Sequence, residues 1–443
     1  MFQRLRPLLV TLSVAGICAL VLVLQRPEAA TSEVVSQLKA AEGLTWYRGN
    51  IHTHSLWSDG DDYPEMIGLW YREHGYDFLC YTDHNVLPQI EKWIDVEKSK
   101  GGMKAYEKLV RKFPKNWVEQ RMNNGRLEVQ LKKFPEVAAE IGIPDEFLLI
   151  QGEEVTDRFG NLPVHMNATN VTGDVFPPMG GESVYDVMQN NVNAVVARRE
   201  RTGEPTLIHL NHPNFRWGVT AEDLMRVRGE NFFEVYNGHP GVNNRGDETH
   251  AGTERIWDIV LTMRLTELDL PLMYGLATDD GHSYHNIPSR SSEPGRGWVV
   301  VLADSLNPAA LIAALEHGRF YASSGVALKS ITHTRESLQV EVEAQPETEY
   351  TVEFIGTRRG FDAESEPVKD KDGNPLPVTR KYSDDIGEVL KTVEGSSAAY
   401  AFQGDELYVR ARVTSSRKHP NPSAPGDPEQ AWVQPVHGPA SRP

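Results

Sequence analysis

Cysteine is nearly absent: Cys18 and Cys80 are the only two in 443 residues. Cys18 lies in an N-terminal targeting segment, so an exported chain would keep one cysteine and could form no internal disulfide. Cys80, between Leu79 and Tyr81, reads as a small buried apolar residue rather than a nucleophile. Positive charge is also short. Lys and Arg number 45 against 62 Asp and Glu, a formal net charge of −17. That balance excludes long DNA or RNA as the main partner, because binding a phosphate backbone demands a basic face. A small nucleotide is not excluded, since bound metal supplies its own local positive charge. Internal repeats are absent as well.

The remaining composition is that of a globular protein, with 40% hydrophobic and 24% charged residues. The length suits one barrel-sized domain and a smaller one. Arg4 and Arg6 precede the apolar stretch from Pro7 to Leu24. Residues 1–32 therefore read as an export signal, cut after Ser32, or as a single retained membrane anchor. Either reading places the protein outside the cytoplasm, in the periplasm or cell envelope.

Acids and imidazoles recur at the ends of short apolar runs. His52-Thr53-His54 closes a strand-like segment, with Asp59-Gly60 just beyond. Side chains alternate along a strand, so His52 and His54 share one face. Tyr81-Thr82-Asp83-His84 follows Phe78-Leu79-Cys80, and Gly152-Glu153-Glu154 follows Phe147–Ile150. His165 sits in Pro163–Asn167, His209 and His212 in Leu207–Pro213, and Asp280-Gly281-His282 ends the run from Leu272. Catalytic groups gather at strand C-termini in α/β barrels and open sheets. Neutral imidazole and carboxylate suit Zn, Fe or Mn.

Between these runs the spacing predicts helices over Pro64–His74, 183–200, 220–228, 252–268 and Pro308–His317, the last capped by Asn307. Strands are predicted over 76–83, 206–211, 231–236 and 271–278. Such alternation points to a parallel barrel. Residues 88–145 are charged with helical spacing and read as a helical insertion at the substrate mouth. Beyond residue 328 the pattern alternates apolar and polar over 338–343, 350–354 and 407–413. A small β-sandwich over 328–436 follows, with a loose proline-rich segment at 418–428.

Taken together, the motifs resemble the PHP family, named for polymerase and histidinol phosphatase domains. They stand here as His52-x-His54-x4-Asp59-Gly60, Thr82-Asp83-His84, Gly152-x-Glu154, His165, Asn211-His212-Pro213 and Asp280-x-His282. The resemblance implies a distorted (β/α)7 barrel over 45–327 and three divalent metals, Mn, Zn or Fe. The first would be held by His52, His54, Glu154 and Asp280, and the second by the bridging Glu154 with His165 and His212. Asp59, His84 and His282 would hold the third. A metal-bridging hydroxide would then cleave a small phosphate ester. Segments such as Gly295–Trp298, Gly318–Gly325 and Ala431–Val436 look like an exported subgroup that includes carbaryl-type hydrolases. Carbamate, ester or amide hydrolysis on the same metals is thus the alternative, and a noncatalytic exported metal-binding protein is a third.

Other residues carry two readings each. Asp83 either orients an imidazole or caps a turn. His209 either lines the site or is a core histidine, and His239 is a leaving-group acid or an ordinary loop residue. Arg296 and Arg319 either contact an anionic substrate or pair within the protein.

Overall fold

A computed structural model describes residues 34–39 and 43–441. The targeting segment read at 1–32 lies outside them. No helix among the described residues is long and apolar enough to cross a membrane.

The described residues form a mixed α/β structure with seven helices around a 13-stranded sheet. From one edge the sheet runs Tyr274–Thr278, Phe232–Asn237, Leu207–Leu210, Leu162–Thr169, Leu148–Phe159, Phe78–Tyr81 and Thr45–Asn50. These strands are mutually parallel except Leu162–Thr169, which returns antiparallel from Leu148–Phe159. His165 therefore sits within a hairpin strand, not at the end of a parallel one. The segments just beyond the edge strand and the seventh also meet. Thr53 bridges Gly281, and the His54 N–H donates to the Gly281 carbonyl at 3.0 Å.

Helices fall close to their predicted places because the caps are encoded locally. Pro64 opens the helix Pro64–Glu73 in its first turn. The Asn307 side chain accepts the Ala310 N–H at 2.9 Å and starts Pro308–Glu316. The helix expected at 220–228 is only the short turn Ala221–Leu224. The stretch 88–145 is not all helical. It holds the helices Gly102–Lys112 and Phe134–Ile141 and a three-stranded antiparallel sheet of Trp93–Asp95, Gln120–Asn123 and Arg126–Gln130. The hairpin had a sequence signal in Asn124-Gly125, whose positive φ values of 50° and 77° are what a two-residue turn requires.

Past Thr45–Asn50 the sheet continues antiparallel through Trp298–Ala303, Phe320–Ser323, Pro428–His437, Glu406–Lys418, Tyr350–Arg358 and Glu388–Glu394. A separate four-stranded sheet contains Leu328–Thr334, Ser337–Val342 and Ser397–Ala401 together with Val34–Lys39. Apolar residues of both sheets, among them Leu338, Val340, Val352, Phe354 and Val413, share one buried cluster. The segment 418–428, expected to be loose, is packed: His419 and Asn421 are buried, for reasons that emerge at the site.

Candidate metal centre

All nine expected ligands converge at one end of the sheet. His52 and His54, at the end of their strand, are fully buried, with their Nε2 atoms 3.1 Å apart. Asp280 Oδ1 lies 3.2 Å from each of these nitrogens. Glu154 Oε2 approaches His54 Nε2 at 3.2 Å and His84 Nδ1 at 2.9 Å. Its Oε1 lies 3.0 Å from His165 Nδ1 and 3.5 Å from His212 Nε2. Asp59 Oδ1 is 3.3 Å from His282 Nε2 and 3.5 Å from His84 Nε2.

Four overlapping groups with ligand atoms close enough to hold a cation result: His54, Asp59, His84 and His282; His52, His54 and Asp280; His52, Glu154 and His212; and His84, Glu154 and His165. Glu154 belongs to two of them. The grouping differs in detail from the sequence-based one, since His54 also reaches the Asp59 group and His84 the Glu154 group.

Adjacent acids are sorted by strand geometry. Glu154 faces the imidazoles, whereas Glu153 points to the opposite face and accepts the Phe176 N–H at 2.8 Å. Asp280 turns inward on a left-handed backbone with φ 50°. Asp279 turns away, accepting the N–H groups of Arg296 and Gly297 and the Tyr71 hydroxyl.

The donor set fits divalent cations. Oxygen and imidazole ligands without sulfur suit Zn, Mn or Fe. His54 Nδ1 is buried without any hydrogen-bond partner, a cost of about 1–3 kcal/mol that a cation would remove. Burial depresses the basicity of His52, yet Asp280, Glu234 and Glu154 reverse this and hold it well above the ordinary range. For His54, burial is likewise outweighed by hydrogen bonds to Asp280 and Glu154, to about 10. Burial opposes the charge on Glu154 and Asp280, but the surrounding imidazoles keep both carboxyls well below their usual range. A nitrogen that ligates a metal carries no proton, so metal binding at this cluster would release any proton held on its imidazoles.

Glu234, in a strand end whose sequence reads as pocket-lining, has a more specific place than that reading gave it. It is 0% exposed and accepts four hydrogen bonds. They come from His52 Nδ1 at 2.7 Å and from Thr278 Oγ1, the His212 N–H and Asn237 Nδ2 at 2.8 Å each. A carboxylate on Nδ1 leaves the Nε2 lone pair of His52 pointing at the cluster. The signal was present: an acid inside the apolar run Phe232-Phe233-Glu234-Val235. Thr156 Oγ1 holds His84 Nδ1 at 2.5 Å, and Asn211 Nδ2 donates to Glu154 Oε1 at 2.8 Å.

The other expected residues divide. Asp83 touches no imidazole through a hydrogen bond; it accepts the N–H and hydroxyl of both Ser55 and Ser58, shaping the turn that carries Asp59. His209 is 0% exposed, with its Nε2 3.6 Å from Glu234 Oε1, and it belongs to none of the four ligand groups. Arg296, expected at the substrate, is fully buried. Its guanidinium donates to the Gly238 carbonyl, Glu293 and Asn421 Oδ1. Asn421 comes from the 418–428 segment, which explains why that segment is packed. Arg319 lies at the far end of the sheet, where its carbonyl accepts the Leu302 N–H and Leu302 faces Trp46. His239 is half-buried with its ring 5.6 Å from that of His282, and Phe215 stands 5.2 Å from His212.

No protein-family model matches the chain, and no curated protein does. Solved structures similar to it include a two-domain protein containing a predicted PHP-like metal-dependent phosphoesterase from Bacteroides vulgatus. That match has 14% identity and a TM-score of 0.38, covering 91% of this chain and 98% of the other. PsfC from Pseudomonas syringae matches at 15% identity and TM-score 0.30, over 58% of this chain and 82% of its own. A protein described as a candidate metal-dependent phosphoesterase from Bifidobacterium adolescentis matches at 15% identity and TM-score 0.28, over 54% and 89%.

Proposed function

We propose that the protein is a metal-dependent hydrolase of the PHP type, cleaving a small phosphate ester outside the cytoplasm. The observation that carries this reading is the convergence of nine nitrogen and oxygen ligands, with Glu154 shared between two groups. In this reading the strands from Thr45–Asn50 to Tyr274–Thr278 close as a distorted (β/α)7 barrel, supported by the Thr53–Gly281 bridge. The C-terminal sheets form a β-sandwich, supported by their shared apolar cluster. His52, His54, Asp59, His84, Glu154, His165, His212, Asp280 and His282 would hold the ions, three in number. Bound divalent ions would supply Lewis-acid polarisation and activated water at neutral pH.

The chain's own part is to hold its ligands rigidly. Glu234 fixes the His52 ring, Thr156 that of His84, and Asn211 orients Glu154. Asp83 sets the turn beneath Asp59. The N-terminal export signal or anchor is part of the same proposal, as is a small-molecule substrate.

One observation favours the second reading, carbamate, ester or amide hydrolysis. Neither Arg296 nor Arg319 offers its guanidinium to the cluster, so a substrate of lower negative charge needs no further counter-charge. The test is hydrolysis by the full chain loaded with Mn or Zn, on nitrophenyl phosphate, bis-nitrophenyl phosphate and an aryl carbamate. Phosphate ester turnover abolished by His84→Ala and Asp280→Ala is the expected result. Carbamate turnover alone would replace the first reading by the second, and inactivity on every substrate would remove both.

A further inference from the structure

His239 stands at the cluster without belonging to any of its ligand groups. Its Nδ1 accepts the Gly241 backbone N–H at 2.9 Å. An imidazole nitrogen that accepts carries no proton, so the ring is neutral and its hydrogen lies on Nε2. The ring is placed from both sides. Its plane meets that of His282 at 76° with 5.6 Å between centroids, and that of Phe215 at 79° with 5.9 Å. Phe215 in turn packs on His212 and His165 at 5.2 and 6.3 Å, so His239 borders the space between the Asp59 and Glu154 groups.

The backbone beneath it is tied to the ligands themselves. The His239 N–H donates to Asn237 Oδ1 at 2.8 Å. Asn237 Nδ2 donates to Glu234 at 2.8 Å and to Asp280 at 3.2 Å. Arg296 holds the Gly238 carbonyl at 2.9 Å. Residue 241 must be small: a Cβ there would lie 2.9 Å from His239 Cε1 and 3.0 Å from Nδ1. A surface histidine needs none of this support.

We infer that His239 is a substrate-binding residue, donating its Nε2–H to a phosphoryl oxygen of the ester held at the cluster. The inference rests on the phosphoesterase reading above. It differs from a leaving-group acid, because the tautomer fixed by Gly241 is a neutral donor that keeps its proton.

The test uses the full chain loaded with Mn, as wild type and as His239→Ala, His239→Gln and Gly241→Ala. Metal content, the dissociation constant for inorganic phosphate, and kcat and KM on nitrophenyl phosphate are measured. His239→Ala is expected to keep its metal while phosphate affinity and kcat/KM both fall roughly 10- to 100-fold, the loss of one hydrogen bond to a charged group. His239→Gln, whose amide reaches the position of Nε2, recovers part of both. Gly241→Ala reproduces the defect by displacing the ring. Loss of metal in His239→Ala would overturn the inference, making the residue a ligand. Unchanged phosphate affinity would overturn it too, whether or not turnover falls. A wild-type protein that neither binds phosphate nor cleaves the ester would instead refute the phosphoesterase reading, and the contact with it.

Discussion

Glu234→Gln should cripple metal binding through a tautomer, without altering shape. The four donors around Glu234 are unequal. On the Oε2 side stand the His212 N–H and Asn237 Nδ2, which can only donate. On the Oε1 side stand Thr278 Oγ1 and His52 Nδ1, which can also accept. A glutamine must therefore turn its NH2 toward the Oε1 side. His52 then accepts on Nδ1 and carries its proton on Nε2, the atom 3.1 Å from His54 Nε2 and 3.2 Å from Asp280. A protonated nitrogen cannot ligate. Loss of such an orienting partner typically costs 10- to 100-fold in metal affinity, about 1.4–2.7 kcal/mol. The assay is competitive titration with a chromophoric chelator, for Zn and for Mn, with far-UV circular dichroism to confirm folding. A folded Glu234→Gln protein with wild-type affinity and stoichiometry would refute the reasoning.

Other consequences can be checked separately. Glu65 is 2% exposed, accepts from Trp117 Nε1 at 3.0 Å, and leaves Oε2 unpartnered; burial raises its carboxyl from the ordinary 4.5 to about 6. Its folded pKa exceeds the unfolded one, so the penalty is absent below pH 4.5 and complete above pH 6. The stability of Glu65→Gln relative to wild type should accordingly rise by about 2 kcal/mol between pH 4 and pH 7, and a flat difference would contradict this. Asp258 joins the helix Thr253–Thr266 to the strand Glu406–Lys418 by accepting from Arg410 at 2.7 and 2.8 Å and from the Tyr408 hydroxyl at 2.8 Å. Asp258→Ala leaves buried Arg410 with Glu254 as its remaining carboxylate partner, 3.1 Å away, and should cost about 1.5–3 kcal/mol in chemical denaturation; a loss below about 1 kcal/mol would mean that the pair contributes little. Asn421→Ala removes an acceptor from buried Arg296 and should cost about 1.5–3 kcal/mol. It should also lower kcat/KM at unchanged metal content, and full activity in this variant would show that the 418–428 segment does not position the site.

Much of the site was legible because its chemistry is local. An acid or imidazole at the end of an apolar run is visible one segment at a time, and the nine candidate ligands implied by the family resemblance needed no knowledge of how those segments pair. Partners across the fold were not visible. Arg296 reads as a free charge until Asn421, from a segment that looked loose, is seen to accept from it. Glu234 reads only as part of a strand end lining the pocket, although a lone acid in such an apolar run must find donors or lose its charge. Asp83 could be an orienting carboxylate or a turn cap, and only the positions of Ser55 and Ser58 decide between them. The insertion misled through its charge: helical spacing over 88–145 outweighed the Asn124-Gly125 turn that marks a hairpin. The continuation of the main sheet through Pro428–His437 depends on pairing between distant strands, which periodicity does not specify.

Whether these nine side chains bind metal can be read from elemental analysis of the purified full chain in chelator-free buffer. More than one equivalent of Zn, Mn or Fe per chain is expected, reduced in folded His52→Ala and Glu154→Ala variants. A wild-type protein that holds no divalent metal, and takes none up on reconstitution, would contradict this expectation.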